Sequence, residues 1–328
     1  MDKVKIIVDT KGADGGAAAI IKGALLALGE LSSLSVVLVG DGELIGSVCA
    51  ELGAPMERVE IIDATGEITN YDSAAEAIYK KTDSSMLTAL SLLGERDDLF
   101  GMLSAGNTGV LLAGSVRYLS KRTRQRPLLA ALLPSQNGGF TCIADTGATI
   151  DTTPAILSHF ARLGSRFMKD AYGIEKPRVA LLSNGTESSK GNKLVKQTYP
   201  LLEADESVNF VGNAEGSNAL SGVCDVLVCD GFDGNLVLKV TEGTAARIIT
   251  DIMKYAKRNA SSEIAELGKH LMSVYDIGSL GGGIILGADK PIIKMRGSAG
   301  EAAVINTARM LVNMAEGKSV LDAAKNKI

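Results

Sequence analysis

The chain has 328 residues, of which 46% are hydrophobic and 4% aromatic, with no tryptophan. This composition supplies a large core but excludes a binding surface built from stacked aromatic rings. The formal net charge of −4 argues against a general nucleic-acid surface. No run of about 18 apolar residues is present to span a membrane.

Cysteine usage and the N-terminus predict a cytoplasmic protein without a Cys/His metal site. The N-terminus begins directly with a strand-like run, so we expect no signal peptide. The cysteines are scattered and mostly lie in or beside apolar runs, and we predict them to be reduced and buried. They are Cys49, Cys142, Cys224 and Cys229. Their spacing matches no common zinc pattern, and the two histidines stand alone.

Short apolar runs typical of β-strands recur along the chain, and most are apolar at every position. In chain order they are 4–9, 35–40, 58–62, 99–105, 128–134, 140–145, 178–183, 208–212, 225–230 and 291–295. Continuous apolar strands are typical of sheets that are covered on both faces. Helical patterns lie between many of the runs. The alternation predicts an α/β fold with a mainly parallel sheet and helices on both sides.

Residues 243–275 break this alternation, because two amphipathic helices follow each other without a strand. We expect a turn at 259–262 between them. The apolar stripes of this hairpin need another surface, and the simplest candidate is a second copy of the chain in a homodimer. The parent domain and a membrane surface are the alternatives. The stripes are Ile248, Ile249, Ile252 and Met253 on the first helix, and Ile264, Leu267, Leu271 and Val274 on the second.

Small polar loops follow the predicted strands, and ligands of open α/β folds collect at the carboxyl ends of strands. We expect Asn107-Thr108 and Gly234-Asn235 each to open a helix, whose free N–H groups favour an anion. Lys190 lies just before another helix start and is a candidate cation for phosphate; a solvated surface lysine is the alternative. The loops are 9–14, 40–42, 104–109, 145–149, 183–192 and 230–235.

No standard nucleotide-binding or covalent-catalysis motif accompanies these loops. The 185–191 segment lacks the P-loop order, and no G-x-G-x-x-G follows the first strand. Neither histidine lies near a Gly-rich loop, so a Ser–His or Cys–His couple is not supported. These absences favour a reaction whose substrate brings its own nucleophile, such as inorganic phosphate attacking a thioester. Loops of backbone N–H, Asn and Lys suffice for that chemistry.

In chain order, these loops resemble the PlsX family of phosphate acyltransferases, which convert acyl-carrier-protein thioesters to acyl phosphates. The resemblance implies one α/β/α sandwich over residues 1–328, related to phosphotransacetylases and isocitrate-type dehydrogenases. It also implies a homodimer without metal or nucleotide cofactor that supplies acyl phosphate for phospholipid synthesis. The matching stretches are KKTDSSM (80–86), SAGNTG (104–109), RPLLAALLP (126–134), ADTGA (144–148), KGN (190–192), FVGNAEG (210–216) and CDGFDGNLVLK (229–239).

From these motifs we predict that Lys190 and Asn235 carry the chemistry. Lys190 would hold phosphate, and Asn235 would donate to the thioester carbonyl or to phosphate. We predict that Arg122 and Arg124, in the basic run 121–126, dock an acidic carrier protein; a solvated loop is the alternative. Further contacts with substrate or phosphate are predicted for Asp9, Ser104, Gly106, Asn107, Thr108, Asp145, Asn192 and Asp230.

Three loops depart from the family pattern and keep other functions open. They are DTKGAD (9–14), where the family usually has DAMGGD, Gly-Ala-Thr (147–149), where it has Gly-Ala-Asn, and Arg-Gly-Ser-Ala (296–299), where it favours His-Gly-Ser-Ser. The alternatives are a related transferase that uses acyl-CoA and a non-catalytic paralogue that binds a carrier protein. Membrane contact is expected to be peripheral at most.

Overall fold

The computed structural model describes residues 3–120, 126–275 and 282–317. These residues group into two compact units. The first unit contains the described residues up to Pro127 together with 282–317, and the second contains those from Leu128 to Tyr275. The single sandwich over 1–328 stays a prediction.

The strands of the described residues fall close to the apolar runs of the sequence. They are β1 (Val4–Asp9), β2 (Leu34–Gly40), β3 (Val59–Asp63), β4 (Leu99–Ser104), β5 (Leu128–Pro134), β6 (Phe140–Ala144), β7 (Arg178–Leu182), β8 (Asn209–Ala214), β9 (Val226–Val228), β10 (Gly283–Leu286) and β11 (Ile292–Lys294). The sequence analysis missed β10, because its apolar run is only three residues long and follows three glycines.

The α-helices and strands mostly alternate, but two pairs of α-helices follow each other without an intervening strand, at 74–95 and at 231–275. The α-helices are α1 (Ala17–Glu30), α2 (Gly42–Glu51), α3 (Ala74–Lys80), α4 (Ser85–Glu95), α5 (Thr108–Leu119), α6 (Pro154–Tyr172), α7 (Lys193–Glu203), α8 (Gly231–Arg258), α9 (Ser262–Tyr275) and α10 (Glu301–Ala315). Among the described residues, no helix is both long and apolar enough to cross a membrane.

In the first unit the strand order is β3-β2-β1-β4-β11-β10, and only the last pair is antiparallel. Every residue of β2 is buried, as expected for a strand that is covered on both faces. Because β1, β4 and β11 are parallel neighbours, the loops that follow them lie at one edge of the sheet. Those loops are 9–14, 104–109 and 296–299.

In the second unit the strand order is β5-β6-β9-β7-β8, and only β5 and β6 are antiparallel. The loops 145–149, 230–235 and 183–192 follow the parallel neighbours β6, β9 and β7, so they also share one edge. All four cysteines, including Cys49 of the first unit, are buried and form no disulfide. The predicted α/β fold with mainly parallel strands is confirmed.

The predicted hairpin is present, but its first helix begins twelve residues earlier than expected, at Gly231 rather than 243. The prediction that Gly234-Asn235 opens a helix is therefore wrong. A Cβ on Gly234 would lie 1.9 Å from the Asp145 carbonyl oxygen, so this glycine permits close packing inside the helix. In the hairpin, α8 packs on α9 at Gly268, where a Cβ would lie 2.5 Å from Met253 Sδ.

Candidate active site

At the end of β1, Asp9 is a buried carboxylate that joins three segments of the first unit. Its Oδ1 accepts a hydrogen bond from Ser85 Oγ at 2.6 Å, and its Oδ2 accepts one from Ser104 Oγ at 2.7 Å. Burial outweighs these bonds and raises the pKa of Asp9. The contacts fasten the start of α4 and the end of β4 to β1. Contact of Asp9 with substrate stays a prediction.

The SAGNTG loop packs backbone to backbone on the 9–14 loop. Gly12 has φ +82°, and a Cβ there would lie 2.6 Å from Gly106 Cα. Ser104 is fully buried, and its Oγ also accepts the Gly106 N–H at 3.1 Å. From β11, Lys294 Nζ donates to the Ala105 carbonyl at 3.1 Å. The loop is thus fixed mainly by contacts inside the first unit.

Asn107 opens α5, as predicted, and its side chain is occupied by the protein itself. Its Oδ1 accepts the Val110 N–H at 3.1 Å. Its Nδ2 donates to the carbonyls of Thr69 and Asp72, at 3.0 and 3.2 Å. Thr108, the first residue of α5, is half-buried. Substrate contacts of both residues stay predictions.

Two of the three loops that depart from the family pattern, 9–14 and 296–299, contact each other. The Asp14 N–H donates to the Gly297 carbonyl at 2.7 Å. A Cβ on Gly297 would lie 2.8 Å from Asp14 Oδ2, so the Asp14 side chain also lies against this glycine. Lys11, where the family usually has methionine, donates from Nζ to the Thr65 carbonyl at 2.7 Å. The departures at 9–14 and 296–299 therefore form one connected region, whereas the one at 147–149 lies in the second unit.

In the second unit, Asp145 closes its own loop. Its Oδ1 accepts the N–H groups of Leu129, Thr146 and Ala148 at 2.9, 2.7 and 3.1 Å. Its Oδ2 accepts the Thr149 N–H at 2.6 Å. Burial raises the pKa of Asp145 despite these bonds. Because both oxygens serve the loop backbone, substrate contact of Asp145 stays a prediction.

The loop after β9 leads directly into α8. Asp230 caps this helix by accepting the Asp233 N–H at 2.8 Å, and the Gly231 N–H donates to the Thr149 carbonyl at 2.8 Å. Burial and the nearby Asp230 raise the pKa of Asp233. Asn235 is exposed in the second turn of α8. Asn235 can therefore donate to a ligand from its side-chain amide, but not from a free N–H at the start of a helix.

The loop between β7 and α7 carries Lys190. The Lys190 N–H donates to the Glu187 carbonyl at 3.0 Å, and a Cβ on Gly185 would lie 2.8 Å from Lys190 Cγ. The lysine stem therefore packs over a glycine. The ammonium is exposed and pairs with no carboxylate among the described residues. Asn192 caps α7 by accepting the Val195 N–H at 2.9 Å, so Lys190 lies two residues before the positive end of a helix dipole.

Lys190 lies in the loop after β7 and Asn235 lies in α8, the helix that follows β9, and β7 and β9 are parallel neighbours. Arg122 and Arg124 lie outside the described residues. Sequence reasoning missed Ser85 and Lys294, although the family-like stretch KKTDSSM contains Ser85. Among the residues that the structure describes, no cluster of three or more His, Cys, Asp or Glu side chains could hold a metal ion.

Both units thus place small polar loops at the carboxyl ends of parallel strands, where α/β proteins bind ligands. A family model described as "Fatty acid synthesis protein" matches residues 4–320. The chain belongs to this family, which confirms the resemblance to PlsX proteins.

Curated relatives with the name phosphate acyltransferase match nearly the whole chain. The protein from Halothermothrix orenii is 36% identical, over 99% of this chain and 98% of its own. That from Streptococcus pneumoniae is 39% identical, over 98% of each chain.

Solved structures with a similar fold include a phosphotransacetylase from Streptococcus pyogenes. It has a TM-score of 0.64 and 18% identity, over 96% of this chain and 94% of its own. A branched-chain phosphotransacylase from Enterococcus faecalis has a TM-score of 0.56 and 15% identity, over 94% of this chain and 99% of its own. At these identities the likeness shows the fold alone.

Proposed function

We propose that this protein transfers a fatty acyl group from the thioester of an acyl carrier protein to inorganic phosphate, giving acyl phosphate. Family membership and the names of the relatives support this reaction. The observation that carries it to this chain is the exposed ammonium of Lys190 before the start of α7, which pairs with no carboxylate in the part of the chain that the structure describes. A dianion that binds there gains both the lysine charge and the helix dipole.

The reaction needs no activated side chain. An oxygen of hydrogen phosphate attacks the carbonyl carbon, a C–O bond forms, and the C–S bond breaks. The leaving thiolate takes up the proton that the phosphate loses. Lys190 offsets the phosphate charge, while the Asn235 amide donates to the oxyanion that develops on the carbonyl oxygen. Stabilisation of this kind is worth about 10²–10³ in rate for each donor.

We assign the other predicted site residues mainly to holding these loops. Asp9 and Asp145 accept hydrogen bonds that fix the loops after β1 and β6. Ser104, Asn107, Asn192 and Asp230 each use a side-chain oxygen to accept a backbone N–H. Gly106 and Thr108 would bring the backbone of the SAGNTG loop to the substrate. The chemistry then depends on Lys190 and Asn235.

An assay of thioester loss tests the reaction. Purified protein is incubated with palmitoyl-carrier-protein or palmitoyl-CoA, with phosphate or with sulfate as the control anion. Thioester loss is followed by release of the carrier or CoA thiol, and acyl phosphate by extraction of labelled phosphate into organic solvent. We expect carrier thiol to be released only with phosphate, together with extractable label. Turnover of CoA thioester alone would support the acyl-CoA alternative. Carrier binding without turnover of either thioester would support the non-catalytic paralogue and contradict the proposal.

The homodimer remains part of this proposal, and the structure sharpens its test. Ile248 and Leu267 are 53% and 50% exposed within the described residues, whereas Ile249 is buried. Ile252 packs near Gly268 inside the hairpin, so it is a poor choice for a test of the outer surface. Two hairpins related by a two-fold axis would bury the exposed stripe in a four-helix arrangement. Acidic and basic residues are mixed across the turn and give no strongly basic face, which disfavours a membrane surface.

Sedimentation decides this point. Ile248→Asp combined with Leu267→Asp should give monomers, because a buried apolar side chain of this size contributes about 1.5–3 kcal/mol. Thr250→Asp, an exposed polar position of α8, is the matched control and should remain dimeric. A wild-type protein that is already monomeric at micromolar concentration would refute the dimer.

Carrier docking by Arg122 and Arg124 stays a prediction from the sequence. Docking through exposed charges weakens with salt and changes association more than chemistry. Reversal of both charges should therefore raise KM for the carrier-protein thioester and flatten its salt dependence, while kcat at saturation is retained.

A further inference from the structure

The 183–192 loop is fastened at two points. Asn184 Oδ1 accepts the Gly191 N–H at 2.9 Å and closes the loop on itself. From the neighbouring strand β8, Asn213 Nδ2 donates to the Glu187 carbonyl at 2.8 Å. The same Glu187 carbonyl accepts the Lys190 N–H at 3.0 Å. The Glu187 carbonyl oxygen thus accepts two hydrogen bonds, one from the Asn213 amide and one from the Lys190 N–H.

Asn213 is placed for this contact by an irregularity of β8. Gly212, just before it, has φ +96°, and the β7–β8 register shifts near this point. Such irregularities re-aim a side chain. Asn213 is 8% exposed, and its Oδ1 has no partner among the described residues. The amide orientation is fixed, because only the NH₂ group can donate to the Glu187 carbonyl.

We infer that Asn213 is a positioning residue for Lys190. Its amide holds the Glu187–Lys190 turn, and the lysine stem, which packs over Gly185, follows that turn. The inference rests on the proposed function, in which Lys190 acts on phosphate. A misplacement of about 1 Å costs about 10²-fold in rate. We therefore expect loss of the Asn213 amide to lower kcat by about 10- to 100-fold, with the ammonium still present.

The experiment compares Asn213→Ala with Asn209→Ala in the phosphate-dependent assay. Asn209 is the matched control, since its Nδ2 also donates to a carbonyl, that of Lys176 at 3.3 Å, but at the other end of β8. We expect kcat to fall only for Asn213→Ala. Asn213→Asp, which keeps the shape but loses the donor, should behave like the alanine variant. Melting temperatures of the variants should stay close to wild type, because Asn213→Ala also removes an unpaired acceptor.

A double-mutant cycle with Lys190→Ala separates positioning from general damage. In the Lys190→Ala background, Asn213→Ala should lower kcat no further. An equal loss in both backgrounds would overturn the inference, as would full activity of Asn213→Ala. If Asn213→Ala fails to fold, Asn184→Ala takes its place, because it removes the other hydrogen bond that holds the loop. Asn184→Ala must then lower kcat in the same Lys190-dependent way. If it does not, the inference is overturned. If Lys190→Ala alone keeps wild-type turnover, the catalytic assignment fails as well.

Discussion

Asp9 and Asp145 both follow a buried strand, but their carboxylates are satisfied in different ways. Asp9 accepts from the hydroxyls of Ser85 and Ser104, which lie 76 and 95 residues away in the chain. Asp145 accepts from four backbone N–H groups, three of them within four residues. The first loop therefore depends on the assembled unit, whereas the second is closed largely by its own sequence.

The largest stability effect is expected where the carboxylate serves backbone groups. Asp145→Ala would leave buried N–H groups without an acceptor, at about 1–3 kcal/mol each. We expect the free energy of unfolding to fall by at least about 3 kcal/mol, measured by urea titration. Asp151→Ala, at an exposed position shortly after the loop, is the control. A loss below about 1 kcal/mol would show that the loop does not need its carboxylate.

A glycine substitution tests the long-range contacts of the first loop. Gly12→Ala adds a Cβ 2.6 Å from the Gly106 backbone at φ +82°. Gly53→Ala has a similar positive φ, +59°, but meets no atom within 4 Å. The control should cost about 1–2 kcal/mol from the left-handed conformation alone. Gly12→Ala should cost measurably more in the same urea titration. Equal losses would mean that the two loops are not tightly packed.

The smallest effect concerns pH. The folded pKa of Asp9 is raised by burial, and hydrogen bonds from Ser85 and Ser104 offset part of that shift. The folded protein therefore holds this proton more tightly than the unfolded chain does. The resulting stability is present below the unfolded pKa and is lost as pH rises through the folded pKa. The stability of wild type relative to Asp9→Asn should thus fall in urea titrations as pH rises above about 4, the ordinary pKa of an aspartate. A difference that grows with pH would contradict the shift.

The comparison also shows what the sequence can reveal. Strands were predictable because their runs are apolar at every position, and the Asp-Thr-Gly turn at 145–147 marks a local loop. The hydrogen-bond partners of Asp9 were not predictable, since nothing in the sequence near residue 9 specifies Ser85 or Ser104. The true start of α8 was hidden by Gly234, which normally ends a helix but here allows close approach to the Asp145 carbonyl.

The candidate site was predictable only in part, for the same reason. Lys190 and Asn235 were recognised from motifs, and the strand order places the segments that carry them after neighbouring strands. The contact of Asn213 with the lysine turn joins two segments of the chain and depends on a local irregularity of β8. No periodicity of the sequence reports such a contact.

The contact between the departing loops refines the functional question. Because Asp14 and Gly297 touch, changes in 9–14 and 296–299 alter one place in the first unit. The exposed Lys190 belongs to the other unit. We therefore expect these two departures to affect which thioester is used more than the use of phosphate itself.

The most direct test of the account is the turnover of Lys190→Ala beside Lys196→Ala. Both lysines are exposed, and they lie six residues apart on either side of the α7 start, but only Lys190 is in the KGN loop. The account predicts that Lys190→Ala lowers phosphate-dependent kcat by about 10²–10³-fold while its melting temperature is retained. Lys196→Ala should match wild type, and Asn235→Ala should show a loss similar to that of Lys190→Ala. Folded Lys190→Ala and Asn235→Ala proteins that both keep near wild-type turnover would contradict the account.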